Sequence, residues 1–187
     1  MPARSERGKL ALPSTRLARL VEGDLTGHRR QTGDDGRVRF VPVGEGSPLE
    51  MVSRTEKRFL GRTEIAVFRA PVDLSVPEAS IVAVRHTGGL KRTGVTAVLV
   101  QGGELGERVA SALASDAGLA KALLRLDFTR FEIICDSEGS RVEVELMGAT
   151  HVAIALPPIR SYIHLYPDQL DAMTKGLEEV RRVVGSV

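Results

Sequence analysis

The sequence predicts an α+β protein: a mainly antiparallel sheet packed with a central helical pair and a C-terminal amphipathic helix. Three observations predict it. Between Arg37 and Leu156, short runs alternate apolar and polar side chains with a period of two, the pattern of strands with one covered face. Leu170, Met173, Leu177, Val180 and Val184 recur at steps of three and four, the pattern of a helix with one apolar stripe. The segments run strands, helices, strands, helix, without the strand–helix alternation of a parallel sheet.

In chain order, residues 1–13 are expected to form a flexible arm and residues 14–187 a single domain. Ser14 is placed to cap a short helix whose apolar residues are Leu17, Leu20 and Val21, ending near Gly23. Asp24 to Gly36, with three glycines and five charges, reads as a loop. Arg37 to Val43 reads as a strand that Pro42 either ends or confines to an edge. Leu49 to Val52, Arg62 to Ala70 and Ser80 to Arg85 are further strands. Val72, Leu74 and Val76, between Pro71 and Pro77, share one side of a loop laid across the core. Thr87 to Gly89 is a turn. Val95 to Val100 is unbroken apolar sequence, which predicts a strand covered on both faces. Gln101-Gly-Gly103 stops it. Glu104 to Ala114 then forms a helix, and Ser115 or Asp116 caps a shorter one carrying Leu119, Leu123 and Leu124.

The stretch from Asp127 onward organises the rest. Phe131, Ile133 and Cys135 share one face of a strand, and Val142, Val144 and Leu146 one face of the next. A Gly139-containing turn joins them. Gly148 to Thr150 reads as a second turn and His151 to Leu156 as a third, central strand, giving an antiparallel meander. Pro157-Pro158 stops pairing. Ile159 to Tyr166 alternates again, and Pro167 opens the last helix, where its missing N–H costs nothing. Gly176 is a weak point inside that helix, by up to ~1 kcal/mol relative to Ala.

Composition bounds the function. The chain has 187 residues, 42% apolar and 27% charged, which suits one globular domain. It has no apolar run long enough for a transmembrane helix, and Met1 to Leu12 lack the apolar core of a secretory signal. The lone Cys135 excludes an internal disulfide and a zinc site built on several cysteines. Together these features predict a cytoplasmic protein without a membrane span. Net charge is +2 but uneven: residues 1–62 hold 13 Lys+Arg against 8 Asp+Glu, and the rest 13 against 16. Such a basic N-terminal part either meets anions or pairs with the acidic body. Aromatic residues make up 4% and Trp is absent, so the stacking platforms of nucleic-acid binders are not expected.

Two surfaces carry the functional expectation. Arg160, Tyr162, His164 and Tyr166 share one parity, combining a cation, two phenols and an imidazole as a ligand or partner patch would. Arg85, His86, Lys91 and Arg92 flank a glycine turn that could hold a phosphate or carboxylate. The four histidines lack metal-ligand spacing, Cys135 sits on a buried parity, and the glycine turn after Val100 lacks the first glycine of a dinucleotide fingerprint. No cofactor, metal or catalytic residue is therefore expected. The sequence reads as a binding module for a small anionic or amphipathic ligand or a protein partner. Its rivals are an enzyme with His164 or His86 as acid/base, and a structural protein dimerising through the Leu170–Val184 stripe.

Overall fold

A computed structural model describes residues 9–74, 78–88 and 91–187. In chain order the elements are β1 (Leu10–Ala11), α1 (Thr15–Asp24), β2 (His28–Thr32), β3 (Val38–Pro42), β4 (Leu49–Arg58), β5 (Gly61–Pro71), β6 (Ser80–Thr87) and β7 (Gly94–Gln101). They continue with α2 (Glu104–Ser115), α3 (Ala117–Leu123), β8 (Phe128–Asp136), β9 (Gly139–Ile154), β10 (Ile159–Ile163) and α4 (Pro167–Val184). The fold is α+β and dominated by one antiparallel sheet, with main path β2-β3-β4-β5-β9-β8-β6-β7.

The sheet has two long central strands, β5 and β9, and each outer partner covers part of one. β5 runs along one edge of β9; β8 takes the first half of the other edge and β10 the second. β4 is shared in the same way, by β3 at its start and by β1 through Leu10↔Arg54 and Ala11↔Ser53. That pairing ties down the end of the expected arm; residues 1–8 lie outside the described residues.

The helices cover one face. Phe131, Ile133, Cys135, Val142, Val144 and Leu146 are all buried there, with Leu119 and Leu123 of α3 and Met173, Leu177 and Val180 of α4 in the same core. The parity read from the sequence therefore holds across β8 and the first half of β9. The α4 stripe is spent inside this chain's own core rather than left open for a second copy. Gly176 is more than a weak point: a Cβ there would lie 2.6 Å from Leu123 Cδ2, so its bareness lets α3 and α4 approach closely.

Four expectations need correction. Gly148 to Thr150 is not a turn. β9 runs straight through it, with Ala149 at φ 56°, and two residues of β5 span five of β9 between Ile65↔Thr150 and Val67↔Glu145. This bulge flips the parity: His151 is buried, whereas Val152 and Ile154 are only half-buried and Leu156 is exposed. Asp24 to Gly36 contains a strand, β2, whose polar sequence fits its edge position. β7 is the other edge; Val98 and Val100 are exposed, so only one of its faces is covered. In β10 it is Tyr162 that packs on the core, and Ile163 that faces water.

Truncating the roof of the core should cost what a buried leucine costs. Leu177→Ala is expected to lose about 2–5 kcal/mol in urea denaturation. Val100→Ala on the open face of β7 should stay within about 0.5 kcal/mol of the parent.

Candidate functional site

The face of the sheet turned away from the helices is charged. Strand alternation that sends Val142, Val144 and Leu146 to the core sends Arg141, Glu143 and Glu145 to the opposite face. These are no solvated fringe: Glu143 is 2% exposed and Glu145 4%. Each is met by arginine from another strand. Arg54 of β4 grips Glu145 with both Nε (2.9 Å) and Nη2 (2.8 Å), a bidentate fork. Arg69 of β5 donates to Glu143 at 3.0 Å, Thr129 donates to Glu145 at 2.7 Å, and Arg130 lies 3.8 Å from both carboxylates. Burial pushes the Glu145 carboxyl up, but the Arg54 and Thr129 hydrogen bonds and the charges of Arg54 and Arg130 outweigh it, so the group titrates below the usual carboxylate range. At the β8–β9 turn, Arg141 holds Asp136 through two 2.9 Å bonds and draws its pKa down.

This layer opens at one end into a cleft of about 310 Å³. Four guanidinium groups border it: Arg37 and Arg39 beside and in β3, Arg69 from β5 and Arg141 from β9, with Pro48 and Pro71 as apolar walls. Arg69 and Arg141 are both fixed by the buried Glu143, at 3.0 and 3.1 Å, and Arg141 also by the half-buried Asp136. Arg37 and Arg39 are more than half exposed; their nearest acids in the cleft are Glu50, at 3.6 and 3.9 Å, and Asp35 binds Arg37 from outside. Glu50 and Glu138 also line the cleft, so its lining holds four arginines against two acids, with Glu143 and Asp136 paired behind Arg69 and Arg141.

The surfaces read from the sequence divide. Tyr162 and His164 do lie side by side, ring centroids 4.9 Å apart, and they converge on Asp24 at the end of α1. Asp24 accepts from Tyr162 Oη at 2.7 Å, sits 2.8 Å from His164 Nδ1 and accepts from the Leu165 N–H at 2.8 Å. Burial and the Asp24 carboxylate push the Tyr162 phenol up. α1 is thereby pinned at both ends, because Ser14 at its start donates N–H and hydroxyl to the buried Glu64 at 2.8 and 2.7 Å. The carboxylate–imidazole pair would suit acid/base chemistry, but His164 is 63% exposed, without the water-excluding walls such chemistry uses. Arg160 and Tyr166 are exposed.

The second surface is dispersed. Arg85 is exposed on the far face of β6, and His86 turns to the helix face, where Nε2 lies 3.1 Å from the Leu123 carbonyl and the ring stacks on Phe128. Burial draws the His86 pKa down. Arg92 pairs with Asp127, Lys91 is exposed, and the glycine turn between them and β6 lies partly outside the described residues. Among the described residues, no cluster of His, Cys, Asp or Glu is arranged to hold a metal, and no helix is long and apolar enough to cross a membrane. Sequence reading missed the cleft, although part of its signal was present: Arg37-x-Arg39 and Arg141 fall on the polar parity of their runs, whereas Arg69 shares its parity with Ile65 and Val67.

A family model described as "Protein of unknown function (DUF3156)" matches residues 23–184. The chain belongs to that family. No curated protein and no solved structure matches it. The match begins just before Asp24 and spans β2 to α4, so it takes in the whole charged face and the cleft.

The charged layer should make stability acid-sensitive. A carboxyl whose folded pKa is depressed adds stability above its unfolded value, ordinarily 4.5 for Glu145, and loses it as pH falls through the lower folded value. Urea midpoints are expected to drop below that pH. Replacing the pair together, Arg54→Met with Glu145→Leu, should flatten the drop; an unchanged acid profile would contradict this.

Proposed function

We propose that this chain is a binding module for a small anionic ligand, held in the arginine-lined cleft at the end of the charged sheet face. One observation carries the reading: four guanidinium groups, Arg37 and Arg39 from beside and within β3, Arg69 from β5 and Arg141 from β9, border one cleft, and the last two are oriented in advance by the buried Glu143 carboxylate. Arginine forks match carboxylate and phosphate oxygens two at a time, and groups already immobilised lose little freedom when they bind. The cleft volume lies at the small end of the range for ligand pockets, which suits a compact acid better than a nucleotide. Pro48 and Pro71 offer flat apolar faces for its carbon skeleton. Arg37 and Arg39 are the adaptable side: half in water and weakly paired, they can swing onto the ligand. This keeps the chemistry expected from the sequence, a small anion, and moves it to a surface that no local motif announced.

Isothermal titration of the full chain with citrate and with inorganic phosphate, at low ionic strength, tests the reading. Saturable binding is expected, and Arg37→Ala with Arg39→Ala should weaken it by about tenfold or more, since hydrogen bonds between charged groups contribute roughly 1.5–3 kcal/mol each. Both side chains are exposed, so the variant keeps its fold. Binding of neither anion, or equal binding by parent and variant, would refute the proposal.

A further inference from the structure

The end of the β4–β5 hairpin opposite the cleft is built differently. Its turn carries Phe59, which is 99% exposed, and Leu60. The β9–β10 turn lies directly beside it: the Ala155 N–H donates to the Leu60 carbonyl at 2.8 Å, and Ile154 is paired on one side with Gly61 and on the other with Ile159. Leu156 is 71% exposed, and Ile159 and the two prolines between them are exposed as well. Two turns far apart in sequence thus form one protruding apolar tip. Monomeric proteins rarely present such a patch without a use for it.

Directly behind the tip runs a row of cations. Lys57 pairs with Arg62, Arg62 with Ala153 and Ala153 with Arg160. Paired residues on adjacent strands share a face, so Lys57, Arg62 and Arg160 point the same way, and all three are exposed. Arg16 of α1 extends the group; Arg16, Arg62 and Arg160 all act electrostatically on the buried His151. The acid facing this row is Glu64, 3.9 Å from Arg62, but it is buried and already holds Ser14.

We propose that this tip docks on an anionic membrane surface, with Phe59, Leu60, Leu156 and Ile159 entering the interface and Lys57, Arg62 and Arg160 resting at the level of the lipid phosphates. Charge and shape both choose this occupant. The rim has a single sign, which a bilayer of anionic lipid complements along its whole length. The tip is convex, so it can enter a fluid interface, whereas an apolar anchor on a folded partner asks for a matching pocket. β4 and β5 separate the tip from the cleft by about 30 Å, from the rise per residue of a strand, so a docked chain would keep its cleft in water.

The chain has no tryptophan, so Phe59→Trp places a single reporter at the apex without touching the core. Its emission is expected to shift to the blue with vesicles of phosphatidylcholine mixed with phosphatidylserine, and to stay water-like with phosphatidylcholine alone. In co-sedimentation, Lys57→Gln with Arg62→Gln and Arg160→Gln should weaken binding on the order of a hundredfold, at roughly fivefold per cation. Phe59→Ser with Leu156→Ser should weaken it by about tenfold or more. No blue shift with the anionic vesicles overturns the proposal. So does a shift that grows with protein concentration in the absence of lipid, which would make the tip a contact between copies.

Discussion

The fork of Arg54 on Glu145 is the interaction on which the sheet depends. Glu145 lies on β9, between β5 and β8, and its neighbour in the polar row, Glu143, is as deeply covered. Taking a carboxylate out of water costs several kcal/mol unless a cation follows it in. The cation comes from two strands away, on β4, and Arg69 does the same for Glu143 from β5. Any slip of β5 on β9 by one residue would turn the carboxylates into the aliphatic core and the valines into the charged layer. The ion pairs and the apolar core therefore demand the same register from opposite faces of one sheet.

The basic N-terminal third and the acidic remainder meet at the centre of the sheet, where Arg54 holds Glu145, while Arg30, Arg37 and Arg39 pair with acids of their own part. α1 is attached by the same means: the sheet carboxylate Glu64 holds its start, and its own last residue, Asp24, holds β10 and the entry to α4. Glu64 at a helix N-terminus is also favoured by the helix dipole. Asp24 at the opposite end is not, and its three hydrogen-bond partners offset the difference. Arginines held rigidly by buried acids then border the cleft, so the feature that fixes the register also prepares a surface for anions.

Much of this was legible in the sequence, and the failures share a cause. Val142, Val144 and Leu146, and the α4 stripe from Leu170 to Val184, could be placed because period and burial agree within one element. The bulge at Ala149 could not: alanine gives no sign of a positive φ, and Gly148 beside it suggested a turn. β2 was hidden because an edge strand needs no apolar face, and β7 was overrated because β-branched residues on its open side imitate a covered strand. The recognition surfaces suffered most. Tyr162 and His164 lie side by side, yet Asp24, which joins them, lies about 140 residues away in sequence. The cleft is assembled from arginines far apart in sequence: Arg37, Arg39 and Arg141 each read alone as ordinary polar alternation, and Arg69 as a lone charge in an apolar run.

The claim that buried ion pairs lock the two parts of the chain together can be tested on one pair. A double-mutant cycle across Arg54→Ala and Glu145→Ala, read by urea denaturation at neutral pH, measures their coupling directly. The double variant should be less damaged than the sum of the single variants by about 0.5–3 kcal/mol, because each single change strands a buried charge. Strict additivity would contradict the account, since it would mean that the charged face merely decorates a sheet held by its apolar side alone.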